Sequence, residues 1–222
     1  MKKSAVIEKR KRLLHQRRTA NLAVMKYYAV IDTNVIVSSQ LSSRADSPIV
    51  QIWDLIMNGD IIAMFNEDIL EEYEQVLLRD KFNINTQKVQ EIISAIKVRG
   101  LLCERCDCDL DFQDADDKKF VEVMLSRDDS YLITGNLKHF PSNSRIISPA
   151  DMIMIIKANI QESSLLNEPG SEYMSDKKRE ILNKAIAATL EIRQSAKLDG
   201  IAEMDIADID RIIREYRNSK KK

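Results

Sequence analysis

The chain has 222 residues, 44% hydrophobic and 31% charged, with five glycines, enough for one medium domain with appendages and a substantial core. No apolar run reaches the roughly 18 residues that cross a bilayer, and none follows the basic N-terminus, which argues against a membrane span or a secretory signal. All three cysteines fall in CERCDC, so no disulfide framework is implied and a reducing cytoplasm is the expected setting. The net charge of −1 hides an uneven distribution: about +8 over residues 1–26, about +2 over 171–222 and near −11 between them. An acidic core with a basic arm suits a nucleic-acid enzyme with metal-holding carboxylates, and equally an acidic domain with a solvated tail.

In chain order, residues 1–26 form a basic arm with weak helical periodicity. The apolar, β-branched run YAVIDTNVIV predicts a first strand over 28–37, followed by the polar loop SSQLSSRADS. SPIVQIWDLIMNGD reads as an amphipathic helix with Trp53 and Ile56 toward the core, IIAMF as a second strand, and NEDILEEYEQVLLRDKF as a helix capped by Asn66. NTQKVQEIISAIKVRG is a further helix, from a cap at Asn85 to Gly100. After the cysteine-rich loop, DADDKKFVEVMLSRDD predicts a helix, YLIT a third strand, RIIS a fourth and SPADMIMIIKANI the closing helix.

Strands alternating with helices predict a parallel sheet covered on both faces, here over residues 27–160. The segment 161–174, with adjacent Pro and Gly, reads as a linker. Residues 175–222 follow as a helical extension of two helices. The first has a face marked by Leu182, Ala185, Ile186 and Leu190. The second carries a stripe of Ile206, Ile209, Ile213 and Tyr216, and begins with an Asp205/Asp208 capping pair.

Chemistry concentrates at the strand ends. In open α/β sheets, sites form where carboxyl ends of strands meet a crevice. Asp32 ends the first apolar run, Glu71 and Glu72 lie one turn into a helix, Asp116 and Asp117 open another, and Thr134-Gly135-Asn136 follows the third strand. Carboxylates gathered there repel one another unless a divalent cation, Mg²⁺ or Mn²⁺, sits among them. Metal-assisted hydrolysis of a phosphodiester is the chemistry this suits.

In order, IDTNV (31–35), ILEEYEQVL (69–77), DADDKKF (114–120) and ITGNLKHF (133–140) resemble the motifs of the PIN-domain family, small metal-dependent nucleases that include the VapC-like toxins of type II toxin–antitoxin systems. The resemblance implies a three-layer α/β/α sandwich around a parallel sheet, with the helical extension added. It implies Asp32, Glu72 and Asp117 as catalytic metal-binding acids, with Asn34, Thr134, Asn136 and Asp116 in support. Glu71 is the rival of Glu72. Many family members carry Asp where this chain has Asn136, so a second cation would be held more weakly. The expected partners are an RNA substrate, a second copy in a homodimer, and either a cognate antitoxin or an intramolecular antitoxin-like segment. The ending EMDIADIDRIIREYR is similar to the C-terminal part of some antitoxins, and could place Arg211, Arg214 or Arg217 against the acids.

Other readings stand beside this one. The same fold could bind RNA or regulate without cutting, or be a toxin inhibited by its own C-terminal helices. A haloacid-dehalogenase-like phosphatase would need Asp at position 34, where Asn stands. Cys103, Cys106 and Cys108 invite zinc, but a fourth ligand would have to come from Asp107, Asp109 or His139. His139 reads first as a packed or capping residue. The arm at 1–18 could hold RNA phosphates, meet a partner, or simply be solvated.

Overall fold

The computed structural model describes residues 26–163 and 174–221; the basic arm, except Lys26, and most of the expected linker lie outside them. The described chain builds a five-stranded sheet in the order β3-β2-β1-β4-β5, with every neighbouring pair parallel. The strands are β1 (Tyr27–Ile31), β2 (Ile61–Phe65), β3 (Leu101–Leu102), β4 (Ser130–Ile133) and β5 (Ile146–Ile147). Between and after them come α1 (Thr33–Leu41), α2 (Pro48–Asn58), α3 (Glu67–Leu77), α4 (Thr86–Arg99), α5 (Lys118–Leu125) and α6 (Pro149–Ser163). Parallel strands need crossovers, and the helices flanking the sheet supply them, giving the α/β sandwich. Two further helices, α7 (Asp176–Leu198) and α8 (Ile206–Lys220), pack back onto this body.

β1 sits at the centre, with Ala29, Val30 and Ile31 essentially inaccessible, and Ile31 registers with Ile133 of β4. Winding runs outward from β1 through β2 to β3, then resumes on its other side with β4 and β5. The carboxyl ends of β1 and β4 are therefore the switch point where a crevice opens.

The expected strand over 28–37 is half right. It ends at Ile31, and Thr33 starts α1, so SSQL of the expected loop is the end of a helix. Every residue of α1 is buried. A helix buried on all sides has no polar face, so its apolar run carries no period of 3.6 and resembles a central strand. Asn66 and Asn85 cap α3 and α4 as expected, accepting from the N–H groups of Ile69 and Lys88. The expected helix from Asp114 opens instead with a 3₁₀ turn, Ala115–Asp117, and becomes α-helical at Lys118. The two-residue β3 has no counterpart in the sequence reading, being too short and too exposed to carry a pattern.

The C-terminal helices have different attachments. α7 lies along α4 and also touches α1. It buries Leu182, Ala185, Ala188, Thr189, Ile192 and Ala196, whereas Ile186 and Leu190 of the expected face point outward. Small alanines let α7 approach closely, and the larger residues beside them misled the stripe. Thr189 Oγ1 donates to the fully buried Gln40 Oε1 at 2.8 Å, and Arg193 donates to the Ser39 carbonyl at 3.0 and 2.8 Å. α8 rests on α1 and α3 through Ile209, Ile212, Ile213 and Tyr216, and the Asp205 side chain caps it by accepting from Asp208 N at 2.8 Å.

Thr189→Val keeps the shape of the α7 contact but leaves Gln40 Oε1 buried without its donor. Denaturant unfolding should place this variant about 1–3 kcal/mol below the parent in stability. A loss within about 0.5 kcal/mol, the usual range of a neutral surface change, would mean that Gln40 is satisfied by another group.

Candidate active site

β1 runs directly into Asp32, which takes the N-cap position of α1 with extended backbone but does not cap it with its side chain. The carboxylate lines the crevice instead, where Oδ2 accepts from Thr134 Oγ1 at 2.7 Å. Thr134 follows β4, and its hydroxyl oxygen also accepts from Asn136 N at 3.0 Å, so one side chain ties the two strand ends together. Asn34, on the first turn of α1, accepts from Gly135 N through Oδ1 at 3.1 Å. A Cβ on Gly135 would lie 3.1 Å from that oxygen and 2.9 Å from Ile206 Cδ1 of α8, so the glycine keeps this approach open.

Glu72 comes from α3, held against β1 by Tyr73, whose hydroxyl donates to the Ile31 carbonyl. Its carboxylate accepts from Thr33 Oγ1 at 2.6 Å and from Lys119 Nζ at 2.5 Å. Asp117 closes the 3₁₀ turn before α5. Asp32, Glu72 and Asp117 are 4%, 2% and 3% exposed, so the three acids expected from the motifs are all buried, Asp32 and Asp117 lining one cleft and Glu72 the adjoining one, with Arg217 between them. Glu71, the rival of Glu72, is exposed and pairs with Lys220 Nζ at 2.6 Å. Asp116 points to Lys221 at 2.9 Å, in a neighbouring cleft shared with Glu71 and Glu72 rather than among the lining residues of Asp32.

Into this acid cluster α8 inserts Arg217, itself 7% exposed. Its Nε and Nη2 fork onto the two oxygens of Glu72 at 3.1 and 2.9 Å. Nη1 donates to Asp117 Oδ1 at 2.7 Å and to Asp114 Oδ2 at 2.9 Å. Of the three arginines raised from sequence, Arg217 is the one among the acids: Arg211 pairs with Asp208 on the surface, and Arg214 lines the cleft rim. Asp210, two turns before Arg217, accepts from Asn34 Nδ2 through Oδ1 and from Asn136 Nδ2 through Oδ2, both at 2.9 Å. Asn136 Nδ2 is also 3.0 Å from His139 Nε2, so His139 packs at the site's edge.

Asp210, Lys119, Thr33 and Asp114 escaped the sequence assignment as site residues. Asp210 and Arg217 are seven residues apart, on one flank of α8, which was a readable signal; Lys119 stood inside a quoted motif.

The electrostatics follow from crowding. Burial, with Asp117 adding to it, raises the Asp32 carboxyl to about 7 against the opposing pull of Thr134 and Arg217. Burial raises Asp117 as well, and Arg217 only partly offsets it. Burial also works against the charged form of Glu72, but Arg217 and Lys119 outweigh it and hold that carboxyl below its ordinary value. Arg217 is raised: its carboxylate partners outweigh its burial.

The donor set suits a divalent cation: hard carboxylate oxygens, with Asp117 Oδ2 buried and, among the described residues, without a hydrogen-bond partner. As the side chains stand, no group of three or more His, Cys, Asp or Glu among the described residues converges on a metal position. Both Glu72 oxygens and one of Asp117 are turned to the Arg217 guanidinium. A cleft of about 170 Å³ remains beside it, lined by Asp32, Asp114, Asp117, His139, Asp210 and Arg217. Cys103, Cys106 and Cys108 are free thiols in the loop after β3.

A family model for the PIN domain matches residues 28–138. The match spans Asp32 to Asn136 and stops short of the two C-terminal helices. No curated protein and no solved structure matches the chain.

The raised Asp32 pKa has a consequence for stability. Between about 4, where an unfolded Asp titrates, and about 7, the folded chain holds a proton that the unfolded chain has lost. Stability from this group therefore falls as pH rises through that window. In chelator-containing buffer, Asp32→Asn should gain stability over the parent as pH goes from about 5 to about 8, reaching about 1–4 kcal/mol. A difference that stays flat with pH would show that Asp32 is not held protonated.

Proposed function

This chain belongs to the PIN-domain family, whose members are generally nucleases, and on that premise we propose that it is an endoribonuclease dependent on Mg²⁺ or Mn²⁺, the toxin of a toxin–antitoxin pair. The observation that carries this reading is the gathering of Asp32, Glu72 and Asp117, from three separate elements, as buried carboxylates in the two adjoining clefts that Arg217 lines. A dry cluster of acids is costly to maintain and of no use to packing, which is the mark of a site.

Asp32, Glu72 and Asp117 would hold the cation. When bound, the ion supplies a water of lowered pKa and positive charge against the phosphorane-like transition state. The protein's own groups fix the ligands. Thr134 orients Asp32, Thr33 orients Glu72, and Lys119 lends Glu72 a positive charge from within the sheet domain. Asn34 and Asn136 offer amide N–H groups that a phosphate oxygen can accept from. Asn136 contributes no charge, so the site relies on three acids rather than four. Cleavage would leave a 5′-phosphate, as the family resemblance implies.

The alternative is a PIN-fold protein that binds RNA without cutting it, favoured by the amide at 136 and by the arginine among the acids. RNA cleavage measured with Mn²⁺, with and without EDTA, separates them, using the parent protein and an Arg217→Gln variant. Cleavage should require the metal and should fall by about 10²-fold or more with Asp32→Asn in the same background. Activity that survives EDTA and Asp32→Asn, or none in either background, would remove the nuclease reading.

A further inference from the structure

α8 would dock by its apolar stripe alone, yet it also buries two opposite charges. Asp210 is 6% and Arg217 7% exposed. Burying an ionised group is costly unless each lone pair or proton finds a partner. Here they do. Each Asp210 oxygen receives one amide, from Asn34 and from Asn136. Arg217 spreads four hydrogen bonds over Glu72, Asp117 and Asp114, the fork on Glu72 being bidentate. The rim pairs Lys220–Glu71 and Lys221–Asp116 are solvated and add little. The two buried contacts are specific for register, because sliding α8 by one turn would leave all of these groups unpaired.

The partners are the candidate site itself. Arg217 takes the charge position among the acids, and Asp210 takes the amides of Asn34 and Asn136. α7 is fixed separately, lying along α4 and hydrogen-bonded to α1 through Thr189–Gln40 and Arg193–Ser39, so α8 can leave without unfolding its anchor. We propose that α8 is a self-docking cover of the site, latched at Asp210 and Arg217, and that Asn136 is its receptor residue. An amide stands at 136, where the family pattern has an acid, because a carboxylate there would face the Asp210 carboxylate across a hydrogen-bond distance. Arg217 and a divalent cation are then alternative occupants. The docking claim stands on these contacts; only the description of the covered site as catalytic rests on the nuclease reading.

Hydrogen exchange followed by mass spectrometry on the full chain tests the latch. Asn136→Asp should speed amide exchange in α8 by about ten- to a hundredfold, the scale of one lost charge-assisted bond plus like-charge repulsion. Exchange in α4 and β1 should stay within about threefold of the parent. Adding Asp210→Asn should restore protection of α8, since the amide introduced at 210 can donate to the new carboxylate at 136 and accept from Asn34. Arg217→Gln should release α8 to a similar or greater degree, and serves if Asn136→Asp fails to fold. Unchanged α8 exchange in Asn136→Asp or Arg217→Gln, or no restoration in the double variant, would overturn the proposal. Release of α8 without any gain in RNA cleavage would support the cover and count against the nuclease reading instead.

Discussion

Three carboxylates with almost no solvent access crowd two adjoining clefts around Arg217, and the rest of the site is arranged around the need to neutralise them. Asp32, Glu72 and Asp117 cannot all ionise in a dry pocket unless positive charge enters with them. Lys119 serves Glu72 from within the sheet domain, and Arg217 serves Glu72, Asp117 and Asp114 from α8. What remains uncompensated is visible at Asp32, whose nearest donor is the uncharged Thr134 and whose carboxyl rises to about 7.

The fold explains why the acids meet. Parallel winding outward from β1 in both directions leaves one gap, at the ends of β1 and β4, and the loops after those strands carry Asp32 and Thr134. Tyr73 fastens α3 to the last carbonyl of β1, which sets the height of Glu72. The 3₁₀ turn before α5 lifts Asp117 to the same edge and sends Asp116 the other way. The acids are thus placed by local geometry near the strand ends, while the Arg217 part of their compensation comes from 100 or more residues along the chain.

That difference decides what could be read from sequence. Alternating apolar runs and the caps at Asn66 and Asn85 are local signals, and they placed the sandwich; the preference for Glu72 over Glu71 and for Asp117 over Asp116 came from the family resemblance. α1 was hidden because burial on every side erases helical periodicity. The face of α7 was misread because its contacts are made by alanines rather than by Ile186 and Leu190. Asp210 was not among the residues singled out from the sequence. Its role depends on two amides more than 70 residues away, which no window along the chain contains. Asn136 looked like a lost acid; beside Asp210 it is a fitted partner.

The proposed competition between Arg217 and a divalent cation for the same carboxylates is the point on which the account turns. Titrating the full chain with Mn²⁺, and following loss of the free-ion electron paramagnetic resonance signal, measures it without reference to activity. Arg217→Gln should bind Mn²⁺ at least about tenfold more tightly than the parent, because the parent must first undock α8. Equal affinity in the two proteins, or tighter binding by the parent, would contradict a shared position for the arginine and the ion.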